Sequence, residues 1–507
     1  MMRFPLFARA AFAASAAPIY ASEALNALAS RDSVFDAPSS WLKGLRPILI
    51  SGREALPIIE GGKGVGVSNG LTSGAFAAAG AVGTFSGVNA DSYDAEGRPV
   101  PVVYKGKTRR DRHEELIQKA IQGGVEQARI ARDVSGGEGR VHMNVLWEMG
   151  GAARVLEGIL EGAKGLIHGV TCGAGMPYRL SEIAAKYDVY YYPIVSSMRA
   201  FRALWKRSYS KYAEKLGAVV YEDPWKAGGH NGLSNNEDPE TFEEPYARVA
   251  ELRSFMNEVG LKDTPVVMAG GVWHIDEWAD WLDNPEIGPI AFQFGTRPIL
   301  TKESPVPDAW KKKLLTLKKG DVYLNRFSPT GFYSSAVHNG FIQMMIDRNH
   351  RQIPFGAVPS GVLSEELTVG ARARTVYVEP HDKLLAEEWV RQGFSEALRT
   401  PDNTLIFVSS EESDGIRRDQ INCMGCLSHC KFSNWKDHDD YSTGRKADPR
   451  SFCIQKTLQD VIHGHGNFDD QLMFSGHNAY RFSDDPLYAD GHIPAVAELV
   501  DAIMRGR

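Results

Sequence analysis

The sequence predicts an α/β protein: a (β/α)8 barrel with a further region appended at its C-terminus. Three observations predict it. Short β-branched runs alternate with helical stretches from about Leu56 to Thr301, the pattern of parallel strands joined by crossover helices. Eight such runs fit into about 250 residues, the usual size of this barrel. The last two runs each stop in a glycine turn.

The eight predicted strands are Pro57 to Ile59, Ala81 to Ser86, Val141 to Leu146, Gly165 to Val170, Val189 to Val195, Ala218 to Tyr221, Pro265 to Met268 and Pro289 to Phe294. An open doubly wound sheet is the alternative. Its glycine signature opening the first helix is absent, and GGKGVG at 61–66 after the first strand is weak alone. The organisation expected is an N-terminal extension at 1–44, the barrel at 45–304 and a C-terminal region at 305–507 with most of the cysteines. Two insertions near 88–107 and 231–245 follow barrel strands, where loops shape a substrate site.

Composition narrows the function classes. A chain of 507 residues with 43% hydrophobic and 24% charged residues is ordinary globular material. A net charge of -6 lacks the basic footprint of a nucleic-acid binder, so a small-molecule substrate is expected. No stretch approaches the roughly 20 apolar residues of a membrane span.

Strand seven runs into Gly270 and Gly271, and strand eight into Gly295 and Thr296. In such barrels the loops after the last two strands commonly grip a phosphate, because backbone N–H groups at a turn form an anion cradle and glycine lets the ligand approach. After strand six, Ala227-Gly228-Gly229-His230 places an imidazole on a glycine turn at the catalytic face, where it can take a proton or donate a hydrogen bond.

The ordered set PIIEGGKGVGVSNG (57–70), HMNV (142–145), VYEDPWKAGGHNG (220–232), VVMAGGV (266–272) and FQFGTRPILTKES (292–304) resembles the motifs of the nitronate monooxygenases, whose near relatives are flavin-dependent enoyl reductases. The resemblance implies FMN, with its phosphate at Gly270, Gly271, Gly295 and Thr296, and with Asn144, Gly61, Gly62, Gly228 and Gly229 beside the cofactor. It implies His230 as base or orienter, and Lys302, Glu303 and Ser304 as residues that fix a loop. The family's first motif usually reads QGG followed by Met; here Glu60 and Lys63 stand in those places, a change that bears on the substrate more than on the cofactor.

Four of the five cysteines, Cys423, Cys426, Cys430 and Cys453, gather in the C-terminal region, three of them within CMGCLSHC. Such spacing suits a metal centre: a [4Fe-4S] cluster is preferred, zinc is the alternative, and disulfides would follow only from export. Asp437 or His438 could replace one thiolate. The segments SPTGFYSSAVHN (328–339) and FSGHNAYRF (474–482) resemble a longer branch of the same family, with no role assigned. Cys172 reads as a small packed residue.

The expectation is therefore an FMN-dependent oxidoreductase that oxidises nitronates or nitroalkanes with O2. Its rivals are an NAD(P)H-dependent flavin and iron–sulfur reductase acting on an enoyl-type substrate, and a barrel that has lost turnover. A cytoplasmic protein, without nucleic-acid or membrane partners and compatible with a homo-oligomer, is expected. The Ala- and Phe-rich start, Met1 to Ala21, is read as part of the extension rather than as an export signal, since Arg9 interrupts it.

Overall fold

The computed structural model describes residues 38–507, apart from 95–98, 138, 235, 371, 438 and 439. The expected N-terminal extension lies almost wholly outside the described residues, and so does His438.

Eight parallel strands close into a barrel in sequential order. They are Ile58–Glu60, Val82–Ser86, Arg140–Leu146, Gly169–Gly173, Tyr190–Val195, Val219–Glu222, Val266–Ala269 and Ile290–Phe294. The eighth closes on the first through Phe292 opposite Ile58. Period-two alternation decides which way each side chain faces. Ile59, Val82, Val220, Val267, Ala269 and Ala291 fill the barrel interior, while Ile58, Val219, Val266, Met268 and Phe292 face outwards into the larger core shared with the helices.

Strand four begins four residues later than the sequence suggests. Gly165 takes a left-handed turn at φ 77°, so the chain is still turning where the apolar run starts. Cys172 therefore lies inside the strand rather than after it, and it is fully buried.

Helices follow the strands, with local reasons for where they start. Asn69 caps Gly70–Ala78 by accepting from the Thr72 amide, and Thr108 with Asp111 forms a reciprocal capping box at the head of Arg109–Ser135. Gly136, at φ 68°, ends that helix in the left-handed region. The units after strands seven and eight begin with short 3-10 segments, Ile275–Trp281, kinked at Trp278, and Arg297–Leu300.

A hairpin, Ile48–Ile50 with Arg53–Ala55, turns through Ser51 and Gly52, both at positive φ, as a two-residue turn requires. Ser51 Oγ lies 2.9 Å from His142 Nε2 and 2.7 Å from the Tyr192 hydroxyl. Burial pulls the His142 imidazole down to about 3. The unfolded chain binds a proton there below its ordinary value of 6.5, the folded chain only near 3, so this contribution is intact above 6.5 and lost as pH falls through that window. In His142→Asn, a plot of unfolding free energy against pH should lose about one proton of slope between those values. An unchanged slope would contradict the buried neutral state.

The C-terminal region falls into two parts. One, carrying Gln352–Pro354, Glu365–Val369, Arg374–Val378, Glu396–Arg399 and Thr404–Val408, has its own small core around Ile353, Leu367, Val376, Leu405 and Phe407. The other returns to the barrel. Its helix Ile454–Ile462 packs beside the first loops, and the final helix Val496–Met504 is tied to Leu42 and, through Gly506, to Asp276 by backbone bonds. No described helix is long and apolar enough to cross a membrane.

Candidate active site

A cavity opens at the C-terminal ends of the strands, and the residues singled out from sequence meet there. Gly61, Gly62, Asn144, Gly228, Gly229, His230, Gly270, Gly271, Gly295 and Thr296 all line it. The two glycine turns after strands seven and eight form one wall. Gly270 and Gly271 sit at φ 81° and 79°, a region that side-chain-bearing residues rarely adopt. A Cβ built on Gly295 would meet nothing within 4 Å and would project into the cavity, which is the shape of a cradle left for a ligand. A Cβ on Gly62 would lie 2.1 Å from the Asn144 Cβ, so that glycine allows the first loop to sit against the third strand. Donors at a glycine turn beside an open space fit a phosphate, and the cavity reaching from there to Asn144 fits the planar remainder of FMN.

His230 is not on a free turn. With Gly229 it forms a two-residue strand, antiparallel to Ser334–Val337, with His230 opposite Ser334. Turn and strand are compatible here because Gly229 takes φ 66° just before the imidazole. His230 Nε2 lies 2.7 Å from Ser328 Oγ, which is itself 2.8 Å from Thr330 Oγ1. Phe474 and Phe332 flank the ring at 5.6 and 6.5 Å. Burial pulls its pKa from 6.5 to about 4, so the ring is neutral and able to accept a proton at neutral pH.

Sequence reasoning gave no role to several residues that build this site. Ser328, which holds His230, belongs to the segment SPTGFYSSAVHN. The segment beginning at Phe474 drops onto the two glycine turns: Gly476 N donates to Thr296 Oγ1 at 3.0 Å and Asn478 Nδ2 to Gly271 O at 2.6 Å. Glu222, ending strand six, lines the cavity, and burial, aided by Asp223, pushes its carboxyl up to about 8. Ser328, Phe474, Gly476 and Asn478 lie in segments without barrel periodicity, and Glu222 ends a barrel strand with no pattern that marks it out.

Glu60 and Lys63 form a buried pair at the first loop, 3.3 Å apart. Glu60 also accepts from Thr84 N and Ser68 Oγ, while Lys63 Nζ donates to Gly61 O at 2.6 Å. Burial drives Glu60 up and Lys63 down, and their mutual attraction opposes both shifts. Each holds the other, so Lys63→Met alone should cost about 3–5 kcal/mol by leaving a buried carboxylate, whereas Glu60→Gln with Lys63→Met should recover most of that loss. Denaturant titration of the single and double variants checks this. Additive losses would contradict it.

Lys302, Glu303 and Ser304 sit in backbone contacts. Lys302 N donates to Pro494 O, and Glu303 accepts from Val496 N and Thr72 Oγ1. Asp437 is engaged elsewhere, with Gly151 N and His113, and does not join the cysteines.

A family model of nitronate monooxygenase matches residues 153–418, just over half of the chain. The chain belongs to the nitronate monooxygenase family. It is an FMN-dependent oxidoreductase on the barrel described above. No curated protein matches it. Solved structures that it is similar to include FabK from Thermotoga maritima, at 15% identity and TM-score 0.46 over 89% of this chain and 92% of that one. The enoyl reductase domain of MlnA from the macrolactin biosynthesis cluster of Bacillus amyloliquefaciens matches at 11% and 0.46, over 89% and 94%. A nitroalkane oxidase from Streptomyces ansochromogenes matches at 18% and 0.40, over 57% and 78%.

Proposed function

We propose that this nitronate monooxygenase family member oxidises alkyl nitronates, and the nitroalkanes that give rise to them, with O2. The observation that carries the reading is His230: a half-buried, neutral imidazole, held by Ser328, that lines the same cavity as the glycine turns after strands seven and eight. Bound FMN supplies the electron sink for the substrate and the route from it to oxygen.

The chain's own residues do the rest. Gly270, Gly271, Gly295 and Thr296 hold the phosphate, and Asn144 with Gly61, Gly62, Gly228 and Gly229 bounds the ring system. The neutral His230 can take the acidic proton beside a nitro group, or donate a hydrogen bond to a nitronate that arrives already ionised. Glu222, protonated at neutral pH, sets no negative charge against such an anion. Phe474 and Phe332 flank the imidazole with apolar surface.

The rival is an NAD(P)H-dependent reductase with an enoyl-type substrate, favoured only by the cysteine loop that reaches this cavity through Cys426 and Leu427. Steady-state oxygen uptake by the purified flavoprotein separates the two. Uptake that requires an alkyl nitronate and ignores NADH and NADPH is expected; NAD(P)H oxidation with no nitronate turnover would replace this reading by its rival.

A further inference from the structure

Cys423, Cys426, Cys430 and Cys453 come from two separate stretches, yet all four line one small cavity together with Met424, Phe432, Ser433, Ile454 and Asp419. None is in a disulfide. Cysteines are often buried simply as small apolar residues, but their loop is held in a way that packing does not require.

Its carbonyls are gripped from outside. Arg112 donates to the carbonyls of Ile421 and Cys423, and Arg109 to those of Gln420, Ser433 and Asn434. His113 Nδ1 lies 3.1 Å from Gly425 O, and Gly150 N donates to Cys426 O. On the inner side, the Cys423 thiol lies 3.0 Å from the Ser433 hydroxyl. Gly425, at φ 70°, lets the loop fold against Trp435, whose ring a Cβ would meet at 2.2 Å.

A loop with its carbonyls tied down from outside and four thiols lining one cavity suits a soft, thiolate-bound metal centre. Among the described residues no three His, Cys, Asp or Glu side chains surround a point fit for one ion. Zinc needs four sulfurs at about 2.3 Å around that one point, whereas a cubane spreads its cysteine ligands over separate corners. Four thiolates on an oxidised four-iron cluster leave about two negative charges, which the Arg109 and Arg112 guanidiniums behind the loop offset. Asp419, the one carboxylate in the lining, is turned to Lys456 at 3.1 Å.

We propose that Cys423, Cys426, Cys430 and Cys453 hold a [4Fe-4S] cluster separated from the flavin cavity by a single wall, since Cys426 and Ile454 line both cavities. The site goes beyond the nitronate reading and stands whichever substrate the flavin serves.

Anaerobic purification of the full chain, followed by iron, acid-labile sulfide and zinc analysis and by electron paramagnetic resonance after dithionite reduction, tests it. About four irons and four sulfides per chain are expected, with a signal of one unpaired electron on reduction. Cys423→Ser and Cys430→Ser should each drop iron to below about one per chain, while Cys172→Ala, in the barrel wall, keeps it. If the serine variants do not fold, the wild-type analysis decides alone, with anaerobic reconstitution by ferrous iron and sulfide as its second arm. Zinc without sulfide, disulfides in non-reducing mass spectrometry, or a flavin-loaded protein that stays free of iron and sulfide after reconstitution would each overturn the proposal. Nitronate turnover is measured separately, so failure of one reading leaves the other standing.

Discussion

Gly295→Val is expected to give a folded protein that binds FMN more weakly. A Cβ at this position meets no protein atom within 4 Å, and its backbone is not in the left-handed region, so a side chain there starts without backbone strain or a Cβ clash. The added methyls enter the space between the two glycine turns where the phosphate would sit. Overpacking of a fitted site costs about 1–3 kcal/mol, so FMN binding should weaken by about fivefold to 150-fold, with the melting temperature of the apoprotein unchanged. Gly270→Ala is the contrast: at φ 81° an added Cβ is strained and comes within 3.0 Å of Ala227 Cβ and the Asp223 carbonyl. That variant should lose about 1–2 kcal/mol of stability as well as flavin. Flavin fluorescence titration and thermal denaturation of both variants distinguish a phosphate cradle from a merely structural turn. Normal FMN affinity in Gly295→Val would remove the phosphate from this site.

His230→Ala should retain FMN and lose about 10²- to 10⁴-fold in turnover on a neutral nitroalkane, the usual worth of a general base. A preformed nitronate needs no proton removed and should suffer less. Burial sets the pH at which the effect fades: free His230 accepts a proton only near 4, so activity on a nitroalkane should hold from neutral pH down well below the ordinary imidazole value of 6.5 and fall as pH approaches about 4. Ser328→Ala, which frees Nε2, should shift that acid limb while leaving flavin content intact. Equal rates for wild type and His230→Ala on both substrate forms would take the imidazole out of the reaction.

The barrel was legible because its strands carry two signals at once, β-branched runs and glycine at their C-terminal ends. Ile290–Phe294 runs into Gly295 and Val266–Ala269 into Gly270, and both the strand and the ligand-facing turn follow from that. Where the signals part, the reading slipped. At strand four the apolar residues Leu166 and Ile167 precede the sheet, because Gly165 keeps the backbone turning. The strand-end part of the site was legible for the same reason, His230 included. Its supports were not: Ser328 lies 98 positions from His230, and Gly476 lies 180 from Thr296. Such contacts are fixed by the path of the C-terminal chain across the barrel mouth, and a short segment carries no periodicity that would announce the path. The pairing of Gly229–His230 with Ser334–Val337 is two residues long on one side, below what strand propensity can register. Conversely, the cysteine spacing was plain in the sequence, while the wall its loop shares with the flavin cavity needed the fold.

Electrons are expected to enter the flavin from a nitronate. Anaerobic rapid mixing of the FMN-loaded enzyme with an alkyl nitronate, with NADH and with NADPH, followed by the visible flavin absorbance, tests it most directly. Rapid bleaching by the nitronate, with recovery on admitting oxygen and no bleaching by either nicotinamide, is the predicted result; bleaching by NADH or NADPH with the nitronate inert would contradict it.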